Sequence, residues 1–513
     1  MKFASEKLLL LVAAIGCVLL YTGAAGGFGF PLDDSWIHQV YGRNLANTGL
    51  WSFVPGVPSA ASTSPLYTVL LSIGYRLGVP YYIYTHFLGT MALWIAGVAA
   101  ASLTRHLLPK SRWAGLVGGL AVIFAWHLIW AAASGMETML FSMWTLLLVA
   151  IAWYELTASG VSRKYVIFRG ILFGITAALA TITRPEGVVL AGIIGLLMLI
   201  ARPQSSWLHL TLWVLGVVIA YAVAISPYLV LNLQLTGGLL PDTAAAKQAE
   251  YAQLLEANYP FRYLNMLYPL IAGGQIFLLP GVVYFVICVA DRIKQEQRNL
   301  LYLLPLLWFL ALIGLYAARL PAPYQHGRYV IPALPSYIVM GVVGTIWLMQ
   351  RYRRSSLIPR VVVQAITFST IALFVIFAIG VGPSEYRQDV FVINEEMVAS
   401  ARWIAQNVPS EELLAVHDIG AVGYFAPRPL LDLAGLVSPE IVPFIVDEDR
   451  LWEWLRTNNA RHLMGFPYHV PGGAADDPRL CLIFSSGGAM SPSIGGDTMA
   501  VYEISWDGRC SDR

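Results

Sequence analysis

The sequence predicts a polytopic α-helical membrane protein of about eleven transmembrane helices, followed by a small α/β domain. Two observations predict it. Hydrophobic residues make up 57% of the chain and charged residues only 12%, about half the charge of an ordinary soluble domain. The apolar residues also gather into repeated long runs as far as residue 381, after which charges and turn residues return. A run near twenty residues crosses a bilayer core roughly 30 Å thick, and a helix satisfies its own backbone there.

The first run, Leu8–Leu20, follows Lys2 and Lys7 like a signal peptide. No cleavage site is evident behind it, so it reads as an uncleaved span. The spans drawn from the pattern are 8–25, 82–104, 113–132, 138–156, 166–183, 187–201, 207–230, 274–290, 299–317, 329–350 and 361–381. With a cytoplasmic N-terminus, Arg105, Lys110, Arg112, Arg163, Lys164, Arg169, Arg202, Arg292, Lys294, Arg298, Arg351, Arg353, Arg354 and Arg360 join Lys2 and Lys7 inside. The outer loops between spans carry only Arg43, Arg76, Arg184, Lys247, Arg262, Arg319 and Arg328. That asymmetry is the positive-inside pattern of an inner or plasma membrane protein. The odd number of spans places the tail outside, dividing the chain into a membrane domain, 1–382, and an extracytoplasmic α/β domain, 383–513.

Two outer loops are long. In the first, Ser35–Ala46 has helical apolar spacing, with Asp34 placed to cap it and Gly49 to end it. Pro65–Leu77 is apolar but too short to span, which suits the interface. In the second, Asp242–Glu256 reads as helix. In the tail, Asn394–Gln406 and Asp449–Thr457 read as helices, and Leu413–Val416, Leu430–Leu433, Arg461–Phe466, Leu480–Phe484 and Met499–Ser505 as strands. Cys481 and Cys510 lie in this outer part, as a disulfide or as free thiols. Cys17 and Cys288 sit in apolar runs.

Under this topology the polar residues that suggest chemistry all fall at outer ends of spans. Of Asp33 and Asp34, one carboxylate suits a general base, and the other suits an orienting group or a ligand for a divalent cation such as Mg or Mn. The competing reading is a capped helix and a solvated acid. Arg184 has the planar fork that grips phosphate; alternatively Arg184 and Glu186 mark a tight turn. Lys247 and Arg328 are further candidates to neutralise phosphate, with Tyr329 as a donor, against ordinary solvation and snorkelling. His326 reads more simply as a solvated loop residue, and Glu137 as either a site acid or part of a helix start capped by Ser134. Trp36, Trp51, Tyr81, Tyr82 and Tyr84 read as an interfacial belt. There is no P-loop, Rossmann glycine pattern, zinc-spaced cluster or nucleophile elbow. No basic block points to nucleic acid.

Several segments in order resemble the C-type (GT-C) membrane glycosyltransferases, which include protein O-mannosyltransferases, lipid A aminoarabinose transferases and mycobacterial arabinofuranosyltransferases. They are Leu32–Ile37, Tyr41–Ala46, Thr63–Tyr67, Gly135–Thr138, Thr183–Gly187, Pro241–Thr243 through Lys247, Arg328–Tyr329 through Pro335, and in the tail Asp418–Phe425 and Asp432–Leu436. Two departures stand out: the stretch up to Lys247 is alanine-rich where relatives often carry aromatics, and Asp34 replaces a frequent Glu. The resemblance implies a polyprenyl-phosphate sugar donor and a glycan, lipid or protein acceptor. It also implies Asp33 as base, Asp34 beside it, and Arg184, Lys247 and Arg328 around the phosphate. A transporter or flippase for a lipid-linked saccharide would share the spans and the ligand. Such proteins usually show internal repeats and mid-membrane polar residues, whereas here no repeat is evident and the charges collect at one end.

Overall fold

The computed structural model describes residues 3–156, 162–201, 206–239, 243–353, 356–473, 477–508 and 510. Its membrane part is a bundle of α1 (Phe3–Ala24), two short loop helices α2 (Asp33–Thr48) and α3 (Pro65–Arg76), then α4 (Tyr81–Leu107), α5 (Ala114–Ile123), α6 (Trp126–Ala133), α7 (Thr138–Glu155), α8 (Arg163–Thr183), α9 (Gly187–Ala201) and α10 (Trp207–Thr236). A second loop carries α11 (Thr243–Glu250) and α12 (Tyr259–Asn265), and the bundle closes with α13 (Leu279–Gln295), α14 (Leu304–Arg319), α15 (Leu334–Tyr352) and α16 (Leu357–Asn407). Among the described residues, nine helices are long and apolar enough to cross a membrane. The pair α5 and α6 makes a further span bent by 57°, and α9 is a shorter apolar helix. Each of the eleven expected runs therefore has its helix.

The last helix continues past the expected end of the last span. Pro383 looks like a terminator, because a proline inside a helix loses one hydrogen bond and clashes with a carbonyl a turn earlier. Here the turn before it, Phe377–Val381, widens to a π-helix, which relieves that clash. The helix runs on through a second π turn at Asn394–Val398 to Asn407, 51 residues in all. The boundary expected at 382 to 383 thus falls inside one continuous rod about 75 Å long.

The tail then folds into a five-stranded mixed sheet in the order β2-β1-β3-β5-β4. Its strands are β1 (Leu414–Val416), β2 (Leu430–Asp432), β3 (His462–Gly465), β4 (Leu480–Ser485) and β5 (Ala500–Ile504). Strands β2, β1 and β3 run parallel, and β5 and β4 complete the sheet antiparallel. Helix α17 (Ile419–Phe425) connects β1 to β2, and α18 (Glu448–Thr457) precedes β3. Cys481 and Cys510 are joined in a disulfide.

The first loop and the tail share one apolar core. Phe30, Trp36, Ile37, Val40 and Tyr41 pack with Ala401, Ile404, Leu414, Ile419, Val422 and Met464. Trp36 is fully buried against Tyr81, Tyr424 and Phe425. It is a packing anchor and not a belt residue, and Trp51 lies in the same core. A helical face that periodicity marks as apolar found a protein partner instead of lipid headgroups.

Candidate active site

The two adjacent acids part company at the start of α2. Neighbouring residues on a helix face different directions, and Asp33 and Asp34 are its first two residues. Leu32 holds the cap position without a side-chain bond, so Asp34 does not cap the helix; Gly49, at φ 74°, does end it. Asp34 turns to Arg328, whose Nη2 lies 2.6 Å from Oδ2, and to the Lys247 ammonium at 3.5 Å. Asp33 turns the other way and accepts the backbone N–H groups of Gly420 (2.6 Å) and Ala421 (2.8 Å).

Those two N–H groups open α17, so Asp33 sits at the positive end of that helix. Arg43, from the far end of α2, donates to the carbonyls of Tyr424 (2.8 Å) and Gly423 (3.0 Å) at the negative end. Helix α2 therefore grips α17 at both poles with the favourable charge signs. Gly420 permits the closeness: a Cβ there would lie 2.1 Å from the Asp33 carbonyl oxygen and 2.7 Å from its Oδ2. Gly420→Ala is expected to cost about 1–3 kcal/mol through overpacking, and to loosen the tail. Thermal unfolding and limited proteolysis of the purified protein check this, and a wild-type melting profile would refute it.

Environment drives the two acids apart in basicity. Burial, and then the charge of Asp418, push Asp33 above the usual carboxylate range, against the pull of its two N–H bonds. Burial would raise Asp34 too, but the charges of Lys247 and Arg328 outweigh it and hold Asp34 well below that range. The oxygens of Asp33 accept two N–H bonds, and Asp34 faces two cations.

Arg328 is delivered by an unusual turn. Gln325, His326 and Gly327 have φ of 53°, 57° and 69°, a left-handed run costing roughly 1–2 kcal/mol at each non-glycine residue. His326 holds it in place. Its Nε2 lies 2.8 Å from Asp389 on α16, an acid that also accepts the Trp130 indole N–H at 2.8 Å, and its ring meets Trp126 and Trp130 edge-on. His326 is therefore an anchored residue and not a solvated one. Arg328 is 6% exposed. Its Nη2 bonds Asp34 and the Tyr329 hydroxyl, while its Nε and Nη1 have no hydrogen-bond partner.

Arg184 lies deeper in the same network. Its guanidinium donates to the Tyr316 hydroxyl at 2.7 Å and faces Glu137 at 3.7 Å and Glu186 at 3.6 Å. Tyr316 donates to Glu186 and stacks on Tyr329. Glu137 lies 3.2 Å from His38; burial would raise this acid, but the His38 hydrogen bond and the Arg184 charge hold it down to about 2. Arg184, expected at a phosphate, faces two carboxylates here. Arg184→Ala leaves Glu137 buried without its cation, so a loss of about 3–5 kcal/mol in stability is expected, larger than any direct effect on ligand binding. An unchanged melting temperature would count against it.

Lys247 lies on α11, at the edge of the cluster. The Leu240, Pro241 and Asp242 part of its motif lies outside the described residues. The tail motif at Asp432 makes a local turn: its two carboxylate oxygens accept the N–H groups of Ala434 and Val437. Sequence reasoning missed His38, Tyr316 and Asp389, which are single polar residues in apolar or helical stretches and carry no local signal.

Residues 385–498 match a family model described as a domain of unknown function (DUF8728). No curated protein matches the sequence. Solved structures do resemble it across nearly the whole chain. ArnT from Cupriavidus metallidurans bound to undecaprenyl phosphate superposes with a TM-score of 0.60 at 14% identity, covering 99% of this chain and 98% of that one. The chain has the GT-C glycosyltransferase fold. The archaeal oligosaccharyltransferase AglB from Archaeoglobus fulgidus, in complex with an inhibitory peptide and a dolichol-phosphate, gives 0.57 at 13%, covering 100% and 76%. The arabinofuranosyltransferase AftD from Mycobacteria gives 0.53 at 15%, covering 98% and 40%. Within this GT-C fold the loop acids, Lys247 and Arg328 meet where the tail sits on the bundle.

Proposed function

We propose that the protein is a membrane glycosyltransferase, a hexosyl- or pentosyltransferase. It moves a sugar from a polyprenyl-phosphate donor to an acceptor hydroxyl on the outer face of the membrane. The observation that carries the proposal is the split pair of acids. Two adjacent carboxylates that face different partners, Asp34 the cations Lys247 and Arg328 and Asp33 the N–H groups that open α17, suit different tasks. Lys247 and Arg328, with the Tyr329 hydroxyl, form a cationic cup beside Asp34, and the Nε and Nη1 of Arg328 are buried donors with no hydrogen-bond partner. A polyprenyl-linked phosphate, with its chain in the lipid and its charge at the rim, is the anion that suits a cup at the end of a helical bundle.

Asp33 is the base in this reading. It takes the acceptor's hydroxyl proton as the acceptor oxygen bonds the anomeric carbon. The bond from that carbon to the phosphate oxygen breaks, and the electron pair leaves with the phosphate. The leaving group is a stable anion, so cations assist it and no general acid is needed. A single displacement inverts the sugar carbon. Arg184 and Glu137 keep Tyr316 and Tyr329 in position behind the cup. Relatives of the same fold bound to undecaprenyl phosphate and dolichol-phosphate support the choice of donor.

Mass spectrometry of the purified protein incubated with polyprenyl-phosphate sugars and an envelope-glycan acceptor mixture tests the reading. Release of polyprenyl phosphate together with a glycosylated acceptor is expected. Intact movement of the lipid-linked sugar across a vesicle bilayer without cleavage would replace this reading with a flippase.

A further inference from the structure

The tail presents a second cluster beside the first. Strands β2, β1 and β3 run parallel, so their carboxyl ends open on one edge of the sheet, the usual place for a ligand in such sheets. His417 and Asp418 follow β1 directly, and His469 lies just past β3. One ligand atom from each of the three lies within 4.8 Å of the others. The Nδ1 atoms of the two histidines lie 3.6 Å and 3.1 Å from the Asp418 carboxylate. Both Nδ1 atoms and the Asp418 Oδ2 are buried without a hydrogen bond.

We propose that His417, Asp418 and His469 bind a divalent metal ion of the zinc or manganese type, which pins the second outer loop to the tail. One further observation supports it. On the other side of His417, Nε2 lies 3.5 Å from Glu250. A carboxylate there accepts from the Nε2–H, fixes the tautomer and leaves the Nδ1 lone pair for a metal, the usual second-sphere partner of a ligating histidine. Two imidazoles and a carboxylate favour zinc, manganese, iron or cobalt over magnesium. Glu250 is the last residue of α11, the helix that carries Lys247, and α11 also touches the tail where Ala246 faces Gly435. The metal therefore fixes one end of the helix that brings Lys247 to Asp34. This inference stands on the ligand geometry and does not rest on the transferase reading.

The test uses the full-length protein in nanodiscs, stripped with a chelator and reloaded with zinc, manganese or cobalt alone. Metal analysis is expected to find a stoichiometric ion in the wild type, with cobalt giving a ligand-field spectrum. His417→Ala and His469→Gln are expected to lose it. Glu250→Gln should keep the site but bind about 10- to 100-fold more weakly. Metal is also expected to raise the wild-type melting temperature, by preferential binding to the folded state, and to slow amide exchange across 243–250. Wild type that takes up none of the three metals would overturn the proposal, as would histidine variants that bind as the wild type does. Because the wild-type measurements need no variant, a variant that misfolds leaves them decisive.

Discussion

Asp33→Asn is expected to remove transfer while leaving donor binding in place. General bases contribute typically about 10²–10⁴-fold, and the amide has no lone-pair basicity to offer. The same substitution keeps one oxygen that can accept from Gly420 or Ala421, so half of the clasp on α17 survives. The stability cost should stay near that of a weakened cap, about 1 kcal/mol. Measuring turnover, polyprenyl-phosphate affinity and melting temperature on one preparation separates the two roles. A fall in all three together would make Asp33 a structural clasp. Turnover at the wild-type level would end its assignment as base.

Arg328→Ala carries the second large effect. Truncating one partner of a buried charged pair costs about 2–5 kcal/mol; at 1.4 kcal/mol per tenfold, that is roughly 30- to several thousand-fold in affinity. The loss should appear in the binding of polyprenyl phosphate itself, because the guanidinium brings its two unpartnered donors to the cup. Arg328→Lys restores a charge without the fork, so it should recover only part of the affinity. Titration of each variant with polyprenyl phosphate decides it. Arg328→Ala binding as tightly as the wild type would remove the cup from the proposed function.

Legibility of this molecule in its sequence varied with the range of the interactions involved. Apolar runs and strand patterns depend on local periodicity, and spans and strands alike appear within a few residues of the expected places. Three expected residues, Asp34, Lys247 and Arg328, meet in one cluster although they are far apart in the chain. They were legible because charge is rare in an apolar chain and collects at span ends. The directions of the side chains were not legible. Nothing local says that Asp33 turns to the tail while Asp34 turns to the bundle, or that Arg184 is already paired. The continuation of the last helix was not legible, because Pro383 ordinarily stops a helix and a π turn is visible only in the backbone. The histidine cluster escaped notice because its members, His417 and His469, are made neighbours by strand pairing alone.

The unbroken rod of α16 has a mechanical consequence. Domains joined by a pliant hinge are free to swing, but here the connection is a helix that leaves the bundle and enters the tail without a joint. With α17 clasped at both poles by α2, the tail is held against the first outer loop as a fixed roof and not as a reaching arm.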